Sequence, residues 1–231
     1  MSRRAIALTT ERRYWRAGFD LIAGIDEVGC GCLAGPVIAA AVVLPVEGRI
    51  KGAVDSKLLR AEQRETISEI IHRKALAVGV GAASPREIER INIRRAAGLA
   101  MRRALHRLPF TPHAVLIDGR PQPELGDHLA ILKGDRTCHS IACAAIVAKV
   151  LRDELMRRLA RVYPDYGWDH NAGYATRDHR EALARLGATP HHRRTFLGVQ
   201  YELELNGDIE GSEGPVEDPV AGVEALRAER G

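Results

Sequence analysis

No stretch of 18 or more apolar residues occurs in the 231-residue chain, so no membrane-spanning helix is expected. The N-terminus, MSRRAIALTTERRYWRAG, lacks the continuous apolar core of a secretory signal. It slightly resembles a basic, amphipathic leader, but Glu11 and the short length favour an ordinary N-terminal helix, and the expected location is the cytoplasm. Cysteine is scarce: Cys30, Cys32, Cys138 and Cys143 are the four present. The first pair is separated by one residue and the second opens a helical pattern. Neither resembles a compact zinc knuckle, which favours reduced, packed thiols over a zinc site. There is no G-x4-G-K-[ST] phosphate loop to support hydrolysis of nucleoside triphosphates. Internal repeats and a low-complexity core are absent as well.

What remains is an ordinary globular composition, 45% apolar and 28% charged, which excludes disorder throughout. The length suits one domain with a small appendage and an ample core. Charge is uneven. The net is +4, yet residues 206–231 hold seven acids against Arg227 and Arg230 and carry −5, which leaves +9 on residues 1–205. A basic body fits a polyanionic partner, because neutralising phosphates releases their counterions. It fits a merely basic soluble enzyme equally well.

Residues 21–25 (LIAGI) and 37–44 (VIAAAVVL) read as buried strands, short, apolar and β-branched. Between them lies Asp26–Pro36, where Gly29, Gly31 and Gly35 permit tight turns and close approach of backbone to a ligand. Residues 62–76 show helical spacing, and 76–82 fit a strand. Ser84-Pro85-Arg86-Glu87 is a helix start with Ser at the cap and an acid three residues on. Residues 92–108 form a basic helix, and 114–117 a strand ending at Asp118-Gly119. A long helix is expected over 139–162, with Ile141, Ala145, Ala148, Leu151, Leu155, Leu159 and Val162 inward and Lys149, Arg152, Arg157, Arg158 and Arg161 mainly on other faces. Alternating strands and helices give an α/β domain. Residues 163–205 read as a helical closing segment, and the Gly-, Pro- and acid-rich stretch after Asn206 as disordered.

Asp26 and Glu27 at the end of an apolar strand are costly unless a cation or polar network compensates their desolvation and repulsion. Neighbouring strand residues face opposite ways. For both to serve one site, the chain must bend directly after Asp26, or Glu27 must reach a second ion. The plain alternative is a solvated strand-to-loop boundary. Asp118 ends a second strand, where ligand sites of α/β sheets gather. Asp135 precedes the long helix and could simply favour its N-terminus. Carboxylates at several strand and helix ends of a basic body point jointly to a hard cation, Mg²⁺ or Mn²⁺, bound by oxygen.

GIDEVGCGCLAGPV resembles the opening of ribonuclease HII, usually G-I-D-E-A-G-R-G-P-L-A-G-P-V. Further segments agree in order: DSK at 55–57, LIDG at 116–119, KGD at 133–135, SIACAAIVAKVLRD at 140–153, GYATRDH at 173–179 and HHRRTF at 191–196. The resemblance covers roughly residues 21–200. It implies a ribonuclease H-like mixed sheet flanked by helices with a small helical C-terminal segment. The corresponding division is an N-terminal extension at 1–20, a catalytic domain at 21–162, a helical segment at 163–205 and an acidic tail at 206–231. It implies a metal-dependent endonuclease that cuts the RNA strand of RNA–DNA hybrids and ribonucleotides embedded in duplex DNA, acting as a monomer with Mn²⁺ or Mg²⁺. Asp26, Glu27, Asp118 and Asp135 match the family's metal carboxylates. Tyr174 matches the tyrosine that stacks on the sugar at the scissile junction. Gly29, Cys30 and Gly31 match the loop whose amides read a 2′-hydroxyl. Lys57 matches a phosphate-contacting lysine and Ser140 a serine near the substrate. Asp153 reads as supporting, and Arg193, Arg194 and Phe196 as substrate-facing or packing.

The chain departs from that pattern where the loop arginine is Cys30, the following proline is Cys32 and a helix serine is Ala145. Losing the arginine removes a fork of donors for phosphate or carboxylate, while backbone readout survives. Weaker substrate binding or an altered preference for isolated ribonucleotides follows, with a minor sensitivity of the loop thiols to oxidation. A competing reading is a non-catalytic nucleic-acid-binding protein on the same fold. The intact carboxylate set argues against it.

Overall fold

The computed structural model describes residues 6–197. The expected acidic tail therefore lies outside the described residues. The helix α1 (Thr9–Arg16) leads into β1 (Ile22–Val28) and β2 (Val37–Val43). Helix α2 (Ala61–Lys74) and β3 (Ala77–Ala83) follow, then α3 (Pro85–Ile91), α4 (Ile93–His106), β4 (Ala114–Asp118) and β5 (Leu129–Ile131). The single-turn α5 (Gly134–Thr137) precedes the 24-residue α6 (His139–Val162), and α7 (Trp168–Asn171) and α8 (Arg177–Leu186) follow, before the chain returns to Ala34 through a bridge at His192. The sheet order is β3-β2-β1-β4-β5. β1–β2 and β2–β3 pair antiparallel, whereas β1–β4 and β4–β5 pair parallel. Among the described residues, no helix is long and apolar enough to cross a membrane.

The sheet is covered on both faces. Ala23, Ile25, Val37, Ala39, Ala41 and Val43 pack against Ala97, Ala100, Met101 and Ala104 of α4. The opposite face, with Ala40 and Val42, packs against Cys143, Ala144, Val147 and Ala148 of α6 and Ile67 and Ile71 of α2. Such two-sided burial explains the nearly unbroken apolar run of β2. Gly24 is required here: a Cβ on it would overlap the main chain of Ser140, so the missing side chain lets the start of α6 lie directly on β1.

Two expectations need correction. Val162, expected inward, is 68% exposed, because the packed side of the last turn of α6 is carried by Leu159 and Ala160, which lie against Tyr166 and Trp168. Arg152, expected on an outer face, is fully buried. It lies four residues from both Ala148 and Met156, which are buried too, so helical spacing does put it on the inward stripe.

Candidate metal centre and substrate loop

β1 does not end at Ile25. Its ladder with β2 continues through Asp26↔Ala40, Glu27↔Ala39 and Val28↔Ile38, because the apolar β2 offers a partner along its whole length. Of the two routes by which both acids could serve one site, a bend directly after Asp26 or a Glu27 that reaches a second ion, the bend is absent. The pleat sends Asp26 to the α6 face with Gly24, and Glu27 to the α4 face with Ile25. On the parallel neighbour β4, Ile117 pairs with Ile25, so Asp118 follows it beside Asp26 at the carboxyl ends of both strands. Asp135 is delivered by α5 after a left-handed residue, Lys133 (φ 56°). The Gly134 amide donates to Asp118 Oδ1 at 2.6 Å, which joins the two aspartates' elements.

The four acids share one electrostatic field. Burial, then Glu27, Asp118 and Asp135, push the Asp26 carboxyl well above the usual carboxylate range, against the Glu27 amide it accepts at 2.7 Å. Burial and Asp118 raise Glu27 to about 6. Burial, Asp118 and Asp55 raise Asp135, with Lys57 and Arg136 opposing. Glu27 Oε2 is buried without a hydrogen-bond partner, and Oε1 has the Cys30 thiol at 3.6 Å. An unpaired buried carboxylate oxygen among three further acids is a deficit that a hard cation repairs. Among the described residues, no three His, Cys, Asp or Glu side chains already form a metal-holding group. Coulomb coupling reaches beyond coordination distance. The acids therefore share a field without forming a closed cage, and the donor set fits an open oxygen site for a hard divalent ion. The four cysteines are free, with no zinc cluster among them.

Lys57 reaches towards this centre, its Nζ 3.8 Å from Asp135 Oδ2 and its side chain 77% exposed. Its loop is fixed by Asp55, which accepts the Lys57 amide through Oδ1 and Arg136 Nε through Oδ2 at 3.1 Å.

The glycine loop follows β1. Gly29 (φ 95°) and Gly35 (φ 83°) occupy left-handed backbone, and Gly31 is exposed with open space about it. Arg152 and Arg193 hold the loop from beneath, and a Cβ on Gly29 would overlap the Arg152 side chain. Tyr174 stands 43% exposed next to the loop, because Leu33 and Ala34 amides donate to Gly173 O. Lys149 Nζ lies 6.0 Å from its ring centroid. Burial, then the neighbouring Cys32, raises the Tyr174 hydroxyl pKa. Cys30 is half-buried, Cys32 fully so, and Ala145 lies in the core.

Ser140 does not face this site. It is 1% exposed, and its amide and hydroxyl donate to Glu11 Oε1 at 2.8 and 3.0 Å. Glu11, from α1, lies buried against the N-terminus of α6, where a negative charge is stabilised by the helix dipole. Asp153 pairs with Lys149 at 2.7 Å and Arg64 at 3.3 Å, which ties α6 to α2. Sequence reasoning missed Glu11, Arg152 and the loop-holding role of Arg193. The spacing of Arg152 within its helix was the available signal.

The family model described as Ribonuclease HII matches residues 23–199. A ribonuclease HII of Thermosynechococcus vestitus is 50% identical over 195 residues, covering 83% of this chain and 91% of its own. The crystal structure of ribonuclease H2 from Pyrococcus horikoshii OT3 superposes with a TM-score of 0.67 at 24% identity, over 81% of this chain and 100% of that one. A Bst-RNase HIII in complex with Mn²⁺ superposes with a TM-score of 0.67 at 22% identity, over 89% of this chain and 75% of that one. The two solved structures share the fold, and the sequence match goes further: the chain belongs to the ribonuclease HII family.

Proposed function

We propose that this chain hydrolyses the RNA strand of RNA–DNA hybrids, and cuts at single ribonucleotides embedded in duplex DNA, leaving 5′-phosphate and 3′-hydroxyl ends. The observation that carries the reading is the convergence of Asp26, Glu27, Asp118 and Asp135 in one field at the ends of β1, β4 and α5, beside a glycine loop. Asp26, Glu27, Asp118 and Asp135 would hold Mn²⁺ or Mg²⁺. When bound, such ions supply positive charge at the attacking and leaving oxygens of the phosphodiester.

The chain's own residues do the rest. The exposed Lys57 ammonium, aimed at the acidic centre, binds a backbone phosphate of the cut strand. The amides around Gly29, Cys30 and Gly31 read the 2′-hydroxyl of the substrate sugar, the group that separates RNA from DNA. The half-exposed Tyr174 ring, held against that loop, packs on the neighbouring sugar. The basic body supplies sequence-independent affinity. In this reading the enzyme works in the cytoplasm as a monomer that removes misincorporated ribonucleotides and primer remnants, a location that its free thiols suit.

The test is cleavage of a duplex DNA carrying one ribonucleotide beside a continuous RNA–DNA hybrid, with Mn²⁺, with Mg²⁺ and in chelator. Asp26→Asn and Asp118→Asn serve as controls. Cleavage of both substrates by the parent, abolished in chelator and in the controls, is the expected result. Binding of both substrates with no cutting by the parent overturns the proposal.

A further inference from the structure

Arg152 and Arg193 have no exposed surface, and neither pairs with a carboxylate among the described residues. Their partners are main-chain carbonyls. Arg193 donates through Nε and Nη2 to Gly35 O at 3.0 and 2.8 Å, and through Nη1 to Cys30 O at 3.0 Å. Arg152 donates through Nε to Pro36 O, through Nη2 to Ala34 O and through Nη1 to Ala172 O, at 3.0, 3.0 and 2.8 Å. Burial without a counter-ion is unfavourable enough to bring the Arg193 guanidinium down to about 10. Apolar residues of similar volume would fill such a space at less cost. What a guanidinium adds is a rigid fork of donors that fixes the direction of each carbonyl it meets.

Direction is the point at Cys30. A trans peptide is planar, so its C=O and N–H point opposite ways. Drawing the Cys30 carbonyl inward turns the Gly31 N–H outward, at an exposed residue with open space around it. No hydrogen bond among the described residues takes up that amide. Arg152 braces the same loop at Ala34 and Pro36, three and five residues beyond Gly31, and through Ala172 O ties it to the segment carrying Tyr174.

We propose that Arg193 is a positioning residue for ribonucleotide recognition: it fixes the Cys30–Gly31 peptide so that the Gly31 amide faces the sugar edge, with Arg152 bracing the loop against the Tyr174 segment. This rests on the reading of the glycine loop as the 2′-hydroxyl sensor. It matters more in this chain because position 30 carries a thiol where the family pattern has an arginine, which leaves recognition to the main chain and whatever orients it.

The experiment measures kcat and KM of the parent, Arg193→Lys and Gly31→Pro on the single-ribonucleotide duplex and on the continuous hybrid, with Mn²⁺. Rates are normalised to folded protein. Gly31→Pro deletes the amide without touching the buried guanidinium, so it reports even where Arg193→Lys folds poorly. A loss of folded protein lowers both substrates alike, whereas a misdirected amide lowers the single ribonucleotide more, since the continuous hybrid keeps its contacts at neighbouring sugars. Both variants are expected to lower the ratio of the two kcat/KM values by on the order of tenfold, the effect of one hydrogen bond. The Arg193→Lys and Gly31→Pro effects should not add in the double variant. A ratio that falls in Gly31→Pro and stays parental in Arg193→Lys overturns the inference alone. A parent that leaves the embedded ribonucleotide uncut, or a ratio untouched by Gly31→Pro, overturns the loop reading, and the inference falls with it.

Discussion

Asp118 accepts the Gly134 amide at 2.6 Å, so the carboxylate ending β4 is hydrogen-bonded to the first residue of the helical turn that carries Asp135. One oxygen thus fixes the geometry of two acids, and the negative charge is separable from that task.

Asp118→Asn separates them. An amide oxygen still accepts from Gly134, so the turn keeps its place, while the charge that attracts a cation is lost. Second-layer groups around metal ligands typically cost 10–100-fold when removed, so loss of a ligand is expected to lower hybrid cleavage by at least about 100-fold. The melting temperature in chelator should stay level or rise, because one repulsive charge has gone. Turnover assays beside thermal melts check both halves, and parental turnover in the variant would remove Asp118 from the metal centre.

The raised acids make a pH prediction for the metal-free protein. Glu27 titrates at about 6 in the folded chain against an ordinary 4.5, so the folded state holds that proton more tightly. Its contribution to stability is present in full below pH 4.5 and lost as pH rises through 6. The shift corresponds to roughly 2 kcal/mol at pH 8. Glu27→Gln should therefore melt about 4–8 °C above the parent at pH 8 in chelator, and level with it near pH 4.5. Equal differences at the two pH values would show that Glu27 is not under this strain.

Glu11 offers a prediction away from the chemistry. Its Oε1 accepts from the Ser140 amide, the Ser140 hydroxyl and the Cys138 thiol, all buried. Removing it leaves those donors unpaired and the start of α6 without its counter-charge, which costs about 1–3 kcal/mol. Glu11→Ala should lower the melting temperature by about 3–10 °C and leave kcat on the hybrid at the parental value. A melting curve unchanged from the parent would show that α1 adds nothing to the stability of α6.

The order of strands and helices was legible because burial writes itself into short apolar runs and a 3.6-residue stripe. Asp118 and Asp135 were legible because strand and helix ends announce themselves through glycine. The straight run of β1 through Val28 was not, since it depends on β2 supplying ladder partners across the pair. The role of Ser140 was hidden for a similar reason: its partner Glu11 lies 129 residues away, in a helix that sequence alone treats as an appendage. Arg152 is the instructive miss. Charge assigned it outward, while its spacing from Ala148 and Met156 assigned it inward, and the carbonyls of a distant glycine loop decided for the spacing.

Cys30→Arg tests what the chain has forgone. The thiol sits 3.6 Å from Glu27 Oε1, and burial, then Glu27, pushes its pKa up, so it is neutral and offers at most a weak donor. A guanidinium at this place, on the rim of a loop already braced from beneath by Arg193, reaches either a substrate phosphate or Glu27. Phosphate capture lowers KM with kcat held, by on the order of tenfold, and steepens the salt dependence of binding by about one counterion. Capture of Glu27 instead lowers kcat, because it occupies an oxygen the metal centre needs. The exposed Gly31 beside it and the partial exposure of Cys30 itself favour the outward path, so a fall in KM at parental kcat is the expected result. Unchanged kcat/KM would mean that the loop works through its amides alone.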